Sequence, residues 1–184
     1  MSIECEILDY SFCKEDIEHW VLLKGEYRYE SIIKFLKSKN IDCTWKNVTS
    51  YIKYDKRILI NSFKYIVFLE EIYKSFIFKY TEDEKTNAML FRQAYQKFLD
   101  LGDKAKYDGI DVFAMKKYQK AINIFRNCVV HNRVLLERKY NGLSLEEVLK
   151  IFIKILPQSY RTGYINDINL CQKGLTENDW HICF

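Results

Sequence analysis

Residues that interrupt helices are scarce in this sequence, and this scarcity constrains the fold more than any other feature. The chain of 184 residues has one proline and six glycines. β-Sandwiches and barrels need frequent turn residues, because each short strand is followed by a reversal of the chain. The sequence therefore predicts an all-α fold.

Apolar residues recur at helical spacing along most of the chain. Between about residues 55 and 80 the pattern repeats every three or four positions, as a helix with one buried face requires. The members of this stripe are Ile58, Leu59, Ser62, Ile66, Leu69, Tyr73 and Phe76. Periodicity and capping signals together predict helices at 13–25, 28–40, 44–52, 55–80, 81–102, 110–140, 145–156, 158–170 and 176–184.

Local signals also mark the boundaries of the later helices. Ser144 and Glu147 form a capping-box pattern, which predicts a helix start, and Pro157 ends that helix. The last two helices are predicted to be short and to pack on the outside. No repeat, low-complexity segment or linker divides the sequence. One all-α domain is therefore predicted over 1–184, with its motif-bearing core at about 50–157.

Composition and charge narrow the classes of function. Hydrophobic residues make up 48% of the chain and charged residues 29%, as in soluble globular proteins. The net charge of +4 permits a polyanionic partner without requiring one. No apolar run approaches the roughly 18–20 residues that span a membrane, and the N-terminus lacks the pattern of a secretory signal. We expect a cytoplasmic protein that does not contact membranes.

The six cysteines are expected to be reduced thiols. None forms a C-x-x-C pair, and no group of cysteine and histidine has zinc-ligand spacing. Neither a metal nor a cofactor is therefore predicted. The cysteines are Cys5, Cys13, Cys43, Cys128, Cys171 and Cys183.

His131 lies inside the predicted helix over 110–140. On a helical wheel with about 100° per residue, it falls with Asn127 on the side opposite the core stripe. That stripe consists of Tyr118, Ile122, Phe125 and Val129. The far side that carries Asn127 and His131 also holds the apolar residues Ile124, Val130 and Val134. Such a helix is expected to meet a second surface, either another helix of this chain or a second subunit.

The polar residues on this far side have spacing that suits proton transfer. Asn127 and His131 are four residues apart, so the amide can contact the imidazole and hold its tautomer. The guanidinium of Arg126 suits a phosphate oxygen. Without metal ligands, this combination fits cleavage of RNA, whose 2′-hydroxyl is a built-in nucleophile. From spacing alone, however, a solvated helix face is the better interpretation.

The stretch Arg126–His131 resembles the R-N-x-x-x-H form of the HEPN domain signature. The segment 54–77 is similar to the long helix of Abi-type (abortive infection) HEPN proteins, with Asp55 and either Glu70 or Glu71 at its acidic positions. The resemblance covers roughly residues 50–140. It implies a HEPN-like helical bundle with additional short peripheral helices.

The resemblance also implies a function. HEPN domains commonly form homodimers that bring two motifs together into one metal-independent endoribonuclease site. By this resemblance His131 is the acid/base, Arg126 contacts the phosphate and Asn127 supports them. Arg133 and Arg138 are candidates for extending the RNA-binding surface. A role in bacterial or archaeal antiphage defence, or as a toxin with an antitoxin protein or RNA, is implied.

Two other classes of function remain open from the sequence. A non-catalytic helical module would bind RNA, a nucleotide or a protein with the same face. A purely structural all-α partner protein would pack this face against another chain. Loss of RNA cleavage on replacing His131, with the fold retained, would separate the enzyme from both.

Three further residues have reactive side chains but no convincing site. His19, beside Trp20, is expected to be structural, and His181 is expected in a frayed C-terminal tail. Cys128 is expected to be a buried thiol rather than a nucleophile activated by His131.

Overall fold

Seven α-helices make up most of the computed structural model, which describes residues 3–105, 107–176 and 179–184. In chain order they are α1 (Tyr10–Lys24), α2 (Glu26–Ser38), α3 (Trp45–Thr81), α4 (Phe91–Asp100), α5 (Val112–Val130), α6 (Leu145–Ile155) and α7 (Gln158–Asn169). Short 3-10 segments occupy Ile3–Cys5, Glu84–Ala88, Gly102–Ala105 and Leu170–Gln172. The prediction of an all-α fold is confirmed.

The helix α3, with 37 residues, is the central element, and α2, α4, α5 and α7 all pack against it. Its predicted stripe is buried, apart from the partly buried Phe76. Separate helices at 44–52 and 55–80 were predicted, and this division was wrong. Tyr51, Tyr54 and Ile58 continue the buried spacing across the junction, and no proline or glycine interrupts the backbone there.

The chain between α3 and α4 is broken, although one helix over 81–102 was predicted. Glu82 adopts a left-handed conformation with φ of 52°, which ends α3. Asp83 then accepts a hydrogen bond from the backbone N–H of Lys85 and begins a 3-10 turn. Met89 and Leu90 are extended before α4 begins. The acidic residues at 82–84 therefore lead into a short 3-10 turn and not into α4, because two extended residues separate that turn from the next helix.

The helix α5 ends at Val130, with His131 as its C-cap, whereas a helix over 110–140 was predicted. Asn132 follows in the left-handed conformation, with φ of 52°. The backbone N–H of Asn132 donates to the carbonyl of Val129, and that of Arg133 donates to the carbonyl of Cys128. This is a Schellman motif, in which asparagine takes the position that glycine usually occupies.

The end of α1 and the boundaries of α6 and α7 agree with the sequence signals to within one residue, whereas α1 begins three residues earlier than predicted. Gly25 turns the chain between α1 and α2 with φ of 85°, a conformation that strains other residues. Ser144 and Glu147 form the predicted capping box, with Ser144 N–H donating to Glu147 Oε2 at 2.7 Å. Pro157 separates α6 from α7.

The C-terminal tail has no helix over the described residues 179–184, where a short helix was predicted. Residues 177 and 178 of that predicted helix lie outside the described ranges. The hydroxyl of Tyr51 donates to the carbonyl of Trp180 at 2.9 Å, and the buried N–H of Ile182 donates to the hydroxyl of Tyr54 at 2.7 Å. The expectation of a frayed tail around His181 was therefore wrong, because α3 supplies hydrogen-bond partners for this backbone.

Among the described residues, no helix is long and apolar enough to cross a bilayer. All six cysteines are free thiols, and Cys128 is buried as predicted.

Replacing Tyr54 with phenylalanine is expected to destabilise the docked tail. The change removes the acceptor of the buried Ile182 N–H, and an unpaired buried donor costs about 1–3 kcal/mol. Urea unfolding measures the loss, and limited proteolysis follows the release of the tail. Tyr80→Phe is the control because Tyr80 is partly exposed. Equal stability of the two variants would contradict the docking of the tail on Tyr54.

Candidate functional site

The motif residues lie at the C-terminal end of α5. Arg126 and Asn127 belong to its last turns, and His131 caps it. Arg126 and His131 are five residues apart, so they differ by about 7.5 Å along the helix axis and about 140° around it. Asn127 and His131 are both exposed, whereas Arg126 is partly buried.

The guanidinium of Arg126 is held by groups from three elements. Its Nη2 lies 3.5 Å from Oε2 of Glu70 on α3, and Nη1 donates to Oδ1 of Asn127 at 3.3 Å. Its Cζ lies 5.2 Å from the ring centroid of Phe91 on α4, a cation–π distance. The Nε atom is buried without a hydrogen-bond partner in the described residues. This side chain is therefore fixed in position yet keeps one unpaired donor.

Of the two acidic candidates on α3, Glu70 is the one that contacts the motif. It bridges Arg126 and Lys74, whose Nζ lies 2.9 Å from Glu70 Oε1. Glu71 is exposed. The carboxylate of Glu70 thus balances part of the positive charge and orients the guanidinium.

Arg126 and Asn127 line a groove between α4 and α5, which we call the α4–α5 groove. Its volume is about 1230 Å³. Much of its surface is formed by amide and basic side chains, including Arg92, Gln93, Gln96, Lys120 and Asn123. A groove with these side chains offers hydrogen-bond donors and positive charge to a polar ligand.

The contact predicted between Asn127 and His131 does not occur in this conformation. The Asn127 amide oxygen accepts a hydrogen bond from Arg126. The backbone N–H of His131 donates to the carbonyl of Asn127 at 3.0 Å. In the ranges that the structure describes, no hydrogen bond joins the amide of Asn127 to the imidazole of His131. The structure therefore brings Arg126 and Asn127 together, but it does not bring either side chain to His131.

The segment after α5 is anchored by Asp55, a fully buried residue of α3. Its Oδ1 accepts hydrogen bonds from the backbone N–H groups of Leu135 at 2.8 Å and Leu136 at 3.0 Å. Burial raises the pKa of Asp55 to about 6, although these hydrogen bonds and nearby Arg28 act in the opposite direction. Its Oδ2 has no hydrogen-bond partner in the described residues and lies 3.9 Å from Nη1 of Arg28.

Asn132, the residue after His131, is held by two cations. Arg28 Nη2 donates to its carbonyl oxygen at 2.9 Å, and Lys56 Nζ donates to its Oδ1 at 2.7 Å. These contacts attach the end of α5 to α2 and α3. Arg28, Lys56 and Asn132 were not among the site residues predicted from the sequence. An asparagine directly after a helical run is the signal for the helix end, but the two cations had no local signal.

The two arginines predicted to bind RNA lie on the segment that follows α5. Arg133 is exposed beside Asn132. Arg138 Nη2 donates to the hydroxyl of Tyr27 at 3.4 Å and lines another cavity, together with Lys34 and Lys39 of the α2 region. Both side chains present positive charge, but they are not on one continuous helix face, because α5 ends before them.

The predicted second apolar surface around His131 has to be revised. Val134 was expected on the far side of the helix, but it is buried in the chain's own core. Ile124 packs partly against that core, while Val130 is only partly buried. The wheel failed here because it extended α5 past its end. Fewer apolar side chains are therefore available around His131 for contact with a second subunit than the wheel predicted.

Within the described residues, no group of three or more histidine, cysteine, aspartate or glutamate side chains could hold a metal ion. Burial raises the pKa of the Cys128 thiol, in agreement with its predicted role as an inert core residue. Comparisons of the chain with protein-family models, with curated proteins and with solved structures gave no match.

Replacing Asp55 tests the anchor and its pH dependence. Folded Asp55 holds its proton up to about pH 6, whereas its ordinary pKa is 3.8. Folding therefore takes up a proton between these values, and the Asp55 contribution to stability falls as the pH rises through this window. Asp55→Asn keeps an oxygen acceptor but has no proton to release in this range. The free energy of urea unfolding should therefore decrease less between pH 4 and pH 7 in this variant than in the wild type.

Asp55→Leu is the matched variant without an acceptor. It leaves the N–H groups of Leu135 and Leu136 unpaired, and each buried unpaired donor costs about 1–3 kcal/mol. We expect this variant to be much less stable than Asp55→Asn at pH 7. If the two variants unfold at the same urea concentration, these hydrogen bonds do not hold the segment.

Proposed function

We propose that the protein is a metal-independent endoribonuclease that cleaves RNA by attack of the 2′-hydroxyl. The observation that carries the proposal is the state of Arg126. Glu70 and Phe91 fix its guanidinium at the α4–α5 groove, which Arg126 lines together with the exposed Asn127. A guanidinium that is positioned in advance suits the charge that develops on a phosphate during cleavage.

The proposed chemistry requires one proton acceptor and one proton donor. A base removes the proton of the 2′-hydroxyl, and the oxygen attacks the adjacent phosphorus. The bond to the 5′-oxygen breaks, and an acid protonates that leaving oxygen. The products are a 2′,3′-cyclic phosphate and a 5′-hydroxyl. Imidazole changes its charge near neutral pH, so exposed His131 would serve as acid or base, with Arg126 on the phosphate.

The separation of Arg126 and His131 favours a homodimer as the active form. The two side chains project about 140° apart on one helix, so a single chain presents them to different places. In a two-fold dimer, His131 of one chain would face Arg126 of its partner across a shared RNA. The resemblance of the motif to the HEPN signature supports the same arrangement. It also supports a role in bacterial or archaeal defence, with an antitoxin protein or RNA as a further partner.

A non-catalytic RNA-binding module is the second candidate. The observation that favours it is the lack of any hydrogen bond to the His131 imidazole within the described ranges. A general base is usually oriented by a second group, and His131 has none in this conformation. The α4–α5 groove and Arg133 would then bind RNA without cutting it.

Cleavage of RNA in EDTA separates the two candidates. We expect the purified protein to produce 2′,3′-cyclic phosphate ends. His131→Ala should lower the rate about 10²–10⁴-fold, as loss of a general acid or base does, and Arg126→Ala about 10²–10³-fold, as loss of an electrostatic contact does. His19→Ala is the control, because His19 is an exposed histidine outside the motif.

The oligomeric state of every variant should be measured by light scattering. Inactive variants that keep the fold and the dimer would support the enzyme. RNA binding without cleavage by the wild type would favour the module instead. Equal cleavage by all the proteins would mean that the motif is not the active site.

Arg133→Ala is expected to weaken RNA binding with little dependence on sequence. A contact to a phosphate carries no base information, and its removal should make the dependence of log affinity on log salt shallower by about 0.7 for a single strand. Fluorescence anisotropy at several salt concentrations measures both effects. Lys150→Ala provides a control on α6; an unchanged salt slope in Arg133→Ala would remove this residue from the interface.

A further inference from the structure

A further cavity is lined by Asn132, which follows the C-cap of α5. It has a volume of about 510 Å³ and opens where the turn between α1 and α2 meets α3 and Asn132. Besides Asn132, its wall contains the apolar side chains Leu23 and Ile52. The remaining lining residues are all basic, and we call the cavity the basic pocket: Lys24, Arg28, Lys53, Lys56 and Arg57.

The contacts of these cations leave their charge largely uncompensated. Arg57 donates to the backbone carbonyls of Cys171 and Lys173. Lys56 donates to the amide oxygen of Asn132, and Lys24 lies 4.5 Å from the ring centroid of Trp20. These partners are neutral groups. They orient the cations but do not cancel their charge.

One buried carboxylate, that of Asp55, offsets part of the positive charge of the five cations. Within the described ranges, Asp55 is the acidic residue that lies within 4 Å of any of them, at 3.9 Å from Arg28. Asp55 is fully buried and its Oδ2 lacks a hydrogen-bond partner there. Like charges gathered around one cavity repel each other. An anion in the pocket would relieve this repulsion and would have lysine and arginine donors on several sides.

We propose that the basic pocket binds a backbone phosphate of the RNA strand whose cleaved bond lies at His131. Asn132 connects the two places, because it lines the pocket and directly follows His131 in the chain. Arginine and lysine side chains are the usual protein partners of nucleic-acid phosphates. The identity of the ligand as an RNA phosphate rests on the proposed function, whereas its negative charge is inferred from the basic lining of the pocket.

The geometry of the pocket favours a strand over a membrane surface. A membrane-binding helix lies flat and inserts an apolar face between lipids. Here the basic residues line a concave cavity formed by three separate parts of the chain. The neighbouring exposed leucines, Leu22 and Leu23, make binding to anionic vesicles a necessary comparison in the test.

Lys24→Gln/Lys53→Gln is the most informative variant. Both lysines are exposed, and in the described residues neither donates a hydrogen bond that the fold needs. Lys79→Gln/Lys116→Gln is the matched control. It removes the same charge from two exposed lysines elsewhere, and Lys79, like Lys24, lies over an aromatic ring. Thermal unfolding should show that both variants keep the wild-type fold.

The probe is a fluorescein-labelled single-stranded 2′-O-methyl oligoribonucleotide, which has no free 2′-hydroxyl and so cannot be cleaved by the proposed route. We expect the pocket variant to bind it at least about tenfold more weakly than the control. The dependence of log affinity on log salt should become shallower by about 0.7 for each phosphate that the variant no longer neutralises. Equal binding by the pocket variant and the control would overturn the proposal.

Two further measurements, probe binding by the wild type and binding to phosphatidylserine vesicles, show whether the pocket recognises RNA. Absence of probe binding by the wild type would also overturn the proposal. So would binding to phosphatidylserine vesicles that depends on Lys24 and Lys53 while RNA binding does not. Cleavage is measured separately: a wild type that binds through the pocket but never cuts would refute the nuclease and leave the pocket assignment standing. If the wild type cleaves RNA and the pocket variant binds the probe as well as the control does, the pocket assignment is refuted and the nuclease stands.

Discussion

The buried carboxylate of Asp55 is the interaction on which the position of the segment after α5 depends. A charged or polar group without access to water must be paired inside the protein. Oδ1 of Asp55 meets this requirement with the backbone N–H groups of Leu135 and Leu136, some eighty residues later in the chain, whereas Oδ2 lies 3.9 Å from the guanidinium of Arg28. This pairing holds the segment after α5 against α3. Together with the Schellman motif at Asn132, which ends α5, it fixes the course of the chain after the helix.

The end of α5 then divides the polar residues between two cavities. Arg126 turns toward α3 and α4, where Glu70 and Phe91 hold it at the α4–α5 groove. Asn132 turns toward Arg28 and Lys56 at the basic pocket. The exposed His131 side chain lies between these positions in the sequence. A strand of RNA that passed the helix end would thus meet positive charge before and after His131, which links the two proposals physically.

Much of the fold could be predicted from local sequence, and the failures have specific causes. The stripe of α3 and the capping box of Ser144 were predicted correctly because periodicity and capping depend on nearby residues. The end of α5 was missed because the apolar residues after it resemble a continued helix. They instead fill the core around Asp55. The docked tail was missed because its partners, Tyr51 and Tyr54, are more than a hundred residues away.

The sequence by itself determined the all-α class, the buried stripe of α3 and the position of Asn127 on the side of α5 away from its core stripe. These properties follow from the spacing of apolar and polar residues along single helices. Only the tertiary structure decided that Glu70 and Phe91 orient Arg126 and that basic residues from α1, α2 and α3 line one pocket beside Asn132. Those arrangements depend on how distant helices pack, because contacts between them leave no periodic pattern in the sequence.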